Sequence, residues 1–176
     1  MEDVYITHVH SFWGPIYLYW TEKGVRELTW AEGKPYPGVV EAKDLSPFPG
    51  LKEALLNGES FLGPYDIPWE TPFFRTVWEL CRKIPKGEVR TYQDLARAAG
   101  KPGAARAVGQ AMAKNPVPLL TPCHRVVPSS GGIGEYGMGG PAVKEALLRL
   151  EGVPLENLRL AKHKMDHYER SHPSPG

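Results

Sequence analysis

The stretch Thr91-Tyr92-Gln93-Asp94-Leu95-Ala96-Arg97-Ala98-Ala99-Gly100-Lys101-Pro102-Gly103, followed by the alanine-rich run Ala104 to Lys114, decides how this chain is read. Thr91 is a suitable side-chain cap for a helix over Tyr92 to Ala99, and Gly100 stops that helix. Lys101-Pro102-Gly103 makes a tight turn, and Ala104 to Lys114 is rich in strong helix formers. Two short helices joined through a glycine turn predict a helix-turn-helix. Many helical hairpins bind nothing, so charge has to support the reading. From Thr71 to Arg125 there are ten Lys/Arg against three Asp/Glu, a net +7 in a chain whose formal total is +1, which leaves −6 for the remainder. The segment suits a polyanion.

Working outward, Pro72-Phe73-Phe74 leads into a helix through Arg82, with Val77, Leu80 and Cys81 at helical spacing, and a last helix runs from about Ala142 to Leu150. Upstream, Gly63 to Pro72 reads as a linker with three prolines. Leu51 to Leu56 is a short amphipathic helix stopped at Asn57-Gly58, and Gly33 to Gly50 is rich in Pro and Gly. Ile6 to Trp30 mixes aromatic, β-branched and polar residues around Thr21-Glu22-Lys23-Gly24, the pattern of paired antiparallel strands. The expected fold is α+β with two domains: residues 1–69, an N-terminal α/β domain with an antiparallel sheet, and residues 70–162, a mostly helical, winged-helix-like DNA-binding domain. Residues 163–176 are expected to be a mobile end.

With 176 residues, 41% of them hydrophobic, the chain can bury an ordinary core. No apolar run approaches the roughly 18 residues of a membrane span, and Met1-Glu2-Asp3 lacks the basic start of a secretory signal, so the expectation is a cytoplasmic protein with no membrane contact. Cys81 and Cys123 are the two cysteines, too few for a disulfide scaffold. In Pro122-Cys123-His124-Arg125-Val126-Val127, a thiol is followed by a base and a permanent cation. Both neighbours favour a thiolate, which is the nucleophilic form. The alternative is a buried structural cysteine, which the flanking charge disfavours. His8 and His10 share one face of a strand, but two histidines do not make a structural zinc site, and no metal is expected.

Thr71-Pro72-Phe73, Ile84-Pro85-Lys86-Gly87, Thr91-Tyr92, Arg106-Ala107-Val108-Gly109, Asn115-Pro116-Val117-Pro118 and the Pro-Cys-His-Arg run together resemble the O6-alkylguanine-DNA alkyltransferase family. The resemblance covers about Thr71 to Gly152. It implies irreversible, single-turnover transfer of an alkyl group from O6 of guanine, and from O4 of thymine, to Cys123, without a cofactor. His124 would be the base, acting through a water, and Glu151 would orient it, the logic of nucleophile, base and orienter. Arg106 would enter the base stack when the nucleotide is flipped out of double-stranded DNA, with Ala105 and Ala107 allowing close approach in the minor groove and Arg125 adding a DNA contact. Tyr92, Met112, Val126, Ser130 and Tyr136 would line the substrate pocket, and Asn115 would tie the recognition helix to the active-site loop. A monomer is expected.

In one loop the sequence departs from the family pattern: Tyr136-Gly137-Met138-Gly139-Gly140 has two residues, not one, between the tyrosine and the Gly-Gly pair. Three other readings compete. An alkyltransferase-like protein binds the same lesions but lacks the nucleophile, whereas Cys123 is present. A helix-turn-helix regulator has no reason to carry Pro-Cys-His-Arg behind its recognition helix. A cysteine hydrolase would need an oxyanion hole, for which the sequence offers no sign.

Overall fold

The computed structural model describes residues 3–31, 38–42 and 44–155; the expected mobile end, 163–176, lies outside them. Apolar and β-branched residues between Tyr5 and Thr29 form three strands, β1 (Tyr5–Ser11), β2 (Gly14–Thr21) and β3 (Gly24–Thr29). They pair antiparallel in the order β3-β2-β1, and a two-residue strand β4 (Val40–Glu41) adds to β1 in parallel. The sheet is therefore mixed, its short parallel edge drawn from the Pro- and Gly-rich stretch whose composition gives no strand signal. Helix α1 (Leu51–Asn57) packs beside it, burying Leu51, Ala54 and Leu55.

Residues 63–72 are not an open linker. They lie along β3, where Val25 N donates to Pro64 O at 3.1 Å and Asp66 N donates to Val25 O at 2.9 Å. The Asp66 carboxylate accepts from Arg26 at 2.8 Å and from Thr21 at 2.6 Å, and Ile67 is buried. The prolines that suggest a linker are compatible with this packing, because an edge segment does not need every N–H. Gly24 makes the approach possible: a Cβ there would stand 2.7 Å from the backbone of Pro64 and Tyr65.

The helical half begins with α2 (Pro72–Arg82), capped by Thr71, whose hydroxyl accepts from Phe74 N at 3.1 Å. Helix α3 (Tyr92–Ala98) starts in a reciprocal cap: Thr91 Oγ1 accepts from Asp94 N at 3.0 Å, and the Asp94 carboxylate accepts from Thr91 N at 2.9 Å. Helix α4 (Ala105–Ala113) buries Val108, Ala111 and Met112, and α5 (Pro141–Leu150) buries Lys144, Leu147 and Leu148. Helices α2, α3 and α4 pack together, and Trp78 Nε1 donates to Ala111 O at 2.9 Å across the α2–α4 contact. A parallel ladder of β5 (Arg90–Thr91) on β6 (Val126–Val127) sets the start of α3 against the chain leaving Cys123. One apolar core runs through both halves, from Trp13 and Ile16 to Trp78, Ala111 and Leu147.

The α3 cap fixes Tyr92 at the first helical position. Thr91→Ala should cost about 1 kcal/mol, lowering the melting temperature by about 2–4 °C in a chain of this size, and Thr91→Ser should recover most of it in the same thermal melt.

Candidate active site

Asn115 follows α4 and fastens the loop that reaches Cys123. Its Oδ1 accepts from Val117 N at 3.0 Å and its Nδ2 donates to Thr121 O at 2.8 Å. Between those anchors Leu119 holds a φ of 74°, which costs a residue with a side chain about 1–3 kcal/mol and persists because the loop is pinned on both sides. Cys123–Arg125 then forms one turn of 3-10 helix.

That turn places His124 and Arg125 wholly inside the protein, both 0% exposed. Arg125 Nε donates to Glu151 Oε1 and Nη2 to Glu151 Oε2, each at 2.9 Å, while Nη1 reaches Ile84 O at 2.8 Å and Nη2 also reaches Gly58 O at 2.9 Å. The expected DNA contact through Arg125 is therefore corrected: the guanidinium is buried and committed to Glu151 and two carbonyls. Trp13 Nε1, from the β1–β2 turn, donates to Glu151 Oε2 at 2.8 Å, and His124 Nε2 meets the same oxygen at 2.8 Å. Burial alone would raise the Glu151 carboxyl, but the hydrogen bonds from His124 and Arg125 outweigh it and hold it at about 2. A carboxylate only accepts, so the His124 proton sits on Nε2. Nδ1 keeps its lone pair and has no partner among the described residues.

Cys123 is 8% exposed, and burial pushes its thiol up, against opposing help from the Asn115 side chain and the Lys144 charge. This corrects the expectation of a thiol lowered by its two neighbours. Arg125 is spent on Glu151, and burial lowers His124 despite that carboxylate, keeping the imidazole neutral. The cation set against the thiol is Lys144 of α5, 0% exposed, whose Nζ donates to Glu135 O at 3.2 Å. Burial brings its ammonium down to about 8, the charges at Cys123 and Glu135 opposing. Sequence reasoning passed over Lys144, yet Lys144, Leu147, Leu148 and Glu151 share the buried stripe at i, i+3, i+4 and i+7. A lysine on such a stripe is the signal.

Two cavities meet at Cys123. The first, about 200 Å³, is lined by Tyr92, Gly109, Met112, Cys123, Glu135 and Tyr136. The second, about 240 Å³, reaches β3 and the Asn115–Pro118 loop. Tyr92, Met112 and Tyr136 thus stand where the sequence puts them, whereas Val126 and Ser130 do not. Val126 is fully buried because the ladder with Arg90 turns it into the core, and Ser130 is exposed beyond the pocket loop. Burial raises both phenols, Tyr92 to about 12, so they remain protonated donors; the Tyr136 hydroxyl is buried without a partner among the described residues. Arg106 is exposed on α4, with Ala105 and Ala107 half-buried on either side. Among the described residues no three His, Cys, Asp or Glu cluster around a point where a metal could sit, and no helix is long and apolar enough to cross a membrane.

A family model described as the DNA-binding domain of 6-O-methylguanine DNA methyltransferase matches residues 72–153. A methylated-DNA–protein-cysteine methyltransferase of Cricetulus griseus is 36% identical over 84% of this chain and 82% of its own length. One from Methanosarcina barkeri is 37% identical over 84% of this chain and 97% of its own. Among solved structures, Mycobacterium tuberculosis OGT in complex with DNA superposes with a TM-score of 0.68 at 32% identity, covering 89% of this chain and 99% of that one.

Arg125→Ala strands the Glu151 carboxylate in the core and should cost about 3–5 kcal/mol in denaturant unfolding; weaker DNA binding at unchanged stability would contradict the burial. Since Glu151 is held at about 2 against an ordinary 4.5, its contribution is complete above 4.5 and disappears as pH falls towards 2. The stability gap between the wild type and Glu151→Gln should therefore close over that window. Labelling of Cys123 by a small thiol reagent should climb above the ordinary value of 9.0, not below it.

Proposed function

The chain belongs to the methylated-DNA–protein-cysteine methyltransferase family, and on that premise we propose that it repairs O6-alkylguanine in double-stranded DNA by moving the alkyl group onto Cys123. The observation that carries this reading is the Cys123 thiol opening into a cavity walled by Tyr92 of α3 and by Gly109 and Met112 of α4, the helix pair of the basic segment.

A neutral thiol is a poor nucleophile, so ionisation comes first. His124, held as an acceptor at Nδ1 by its Nε2 bond to Glu151, takes the proton through a water, and the Lys144 ammonium stabilises the sulfur anion. The sulfur pair then forms the S–C bond as the C–O6 bond breaks, and the bond pair leaves on the guanine, which gains a proton. The protein keeps a thioether. Nothing in this donor set can displace a thiolate from carbon, so each molecule acts once, without a cofactor.

With Cys123 nearly closed off, a stacked base cannot reach it, and the nucleotide must rotate out at a cost of a few kcal/mol. Arg106, exposed between two alanines on α4, fills the gap that this leaves, while Tyr92 and Tyr136 donate to the flipped base. The protein works as a monomer in the cytoplasm on this reading.

Incubation with O6-methylguanine duplex should add one methyl to the Cys123 peptide and then stop; repeated turnover, or label on Cys81 alone, would refute the assignment. Cys123→Ser should still bind the lesion but transfer nothing. Arg106→Ala should slow single-turnover repair far more in duplex than in a single-stranded oligonucleotide, where no pair has to open. Equal slowing on both would reduce Arg106 to a phosphate contact.

A further inference from the structure

The second cavity at Cys123 has no place in the chemistry above. It shares Met112, Ala113, Cys123, Tyr136 and Gly137 with the first but turns away from α3, ending against Leu28, Trp30, Pro118 and Met138. Resting on the alkyl-transfer reading, in which the transferred group lies beside Cys123, we propose that Trp30, outside the region matched by the family model, walls this cavity and limits the size of the group transferred.

Displacement at carbon requires sulfur, carbon and O6 on one line. The other substituents of that carbon are splayed around the line, so a chain longer than methyl cannot follow the base into the first cavity and must leave sideways. The space beside Cys123 is the second cavity. Its about 240 Å³ is several times the roughly 30 Å³ that one water, about the size of a methyl, occupies in the liquid. Leu28, Pro116, Pro118 and Met138 give it apolar walls, which suit an alkyl chain.

Trp30 is fixed there by more than packing. Its Nε1 donates to Met138 O at 2.8 Å, joining the end of β3 to the loop that carries Tyr136. That loop is closed by Gly140 N donating to Tyr136 O at 2.9 Å, and it sits so close to α5 that a Cβ on Gly139 would come 2.6 Å from Val143 Cγ2. The indole is thus pinned at its N–H end to a loop that has little room to retreat, and the wall it makes is firm.

The test uses duplexes carrying a single O6-methyl-, O6-butyl- or O6-benzylguanine, with the wild type, Trp30→Ala and Trp30→Phe, and reads single-turnover transfer to Cys123 by intact mass. In Trp30→Ala the benzyl-to-methyl rate ratio should rise roughly tenfold or more above that of the wild type, the scale on which pockets discriminate by size. Trp30→Phe keeps a ring but loses the donor to Met138 O and should give a smaller rise, with butyl between methyl and benzyl. If Trp30→Ala fails even on methyl, Trp30→Phe decides by the same ratio. An unchanged or lower ratio with methyl transfer intact overturns the role of Trp30 alone. No methyl on Cys123 in the wild type overturns the functional reading and the role of Trp30 with it.

Discussion

The buried Glu151 carboxylate is the constraint from which the rest of the site follows. An ionised carboxylate taken out of water is tolerable only where donors replace its hydration, and here four N–H contacts do so: two from Arg125, one from His124 and one from Trp13. Those donors come from distant places in the chain. Glu151 caps α5, His124 and Arg125 lie on the turn after Cys123, and Trp13 lies between β1 and β2. Arg125 extends the junction to the carbonyls of Ile84, just past α2, and of Gly58, just past α1. Satisfying one charge thus fixes the relative placement of five segments, and Cys123 is attached to one of them.

Burial also decides the resting protonation states. The same desolvation that makes the Glu151 network necessary raises Cys123 and lowers His124 and Lys144. A neutral thiol beside a neutral imidazole is inert to passing electrophiles, which suits the single-use nucleophile proposed at Cys123. Lys144 is the opposing influence. Its ammonium is still largely protonated at neutral pH with a value of about 8, so the core holds a cation ready for the sulfur anion when the proton leaves. Its hydrogen bond to Glu135 O reaches the pocket loop, so the charge is placed by the same segment that carries Tyr136.

Much of this was legible in the residues. Thr91 and Gly100 bracket α3 as capping chemistry requires, and His124 and Glu151, paired by the resemblance, meet at 2.8 Å. Arg125 was misread because adjacency in sequence says nothing about direction: a cation beside a nucleophile in a basic segment looks like a DNA contact until a partner 26 residues away is seen to bury it. Val126 failed for a related reason, since a two-residue ladder, too short to leave a periodic signal, turns its side chain inward. The prolines of residues 63–72 suggested slack chain, where the open edge of β3 instead gave them a partner.

The sheet half has no motif, yet two of its indoles donate hydrogen bonds into the site. Trp13 Nε1 reaches Glu151 and Trp30 Nε1 reaches Met138 O, both at 2.8 Å. Tryptophan suits both positions because it spans an apolar interface with its rings while offering one donor at the far end. A tyrosine could also accept, and a lysine would bring a charge that the Glu151 site already has in Arg125. With the core running without a break from the sheet to α5, the N-terminal residues act as the back wall of the chemistry.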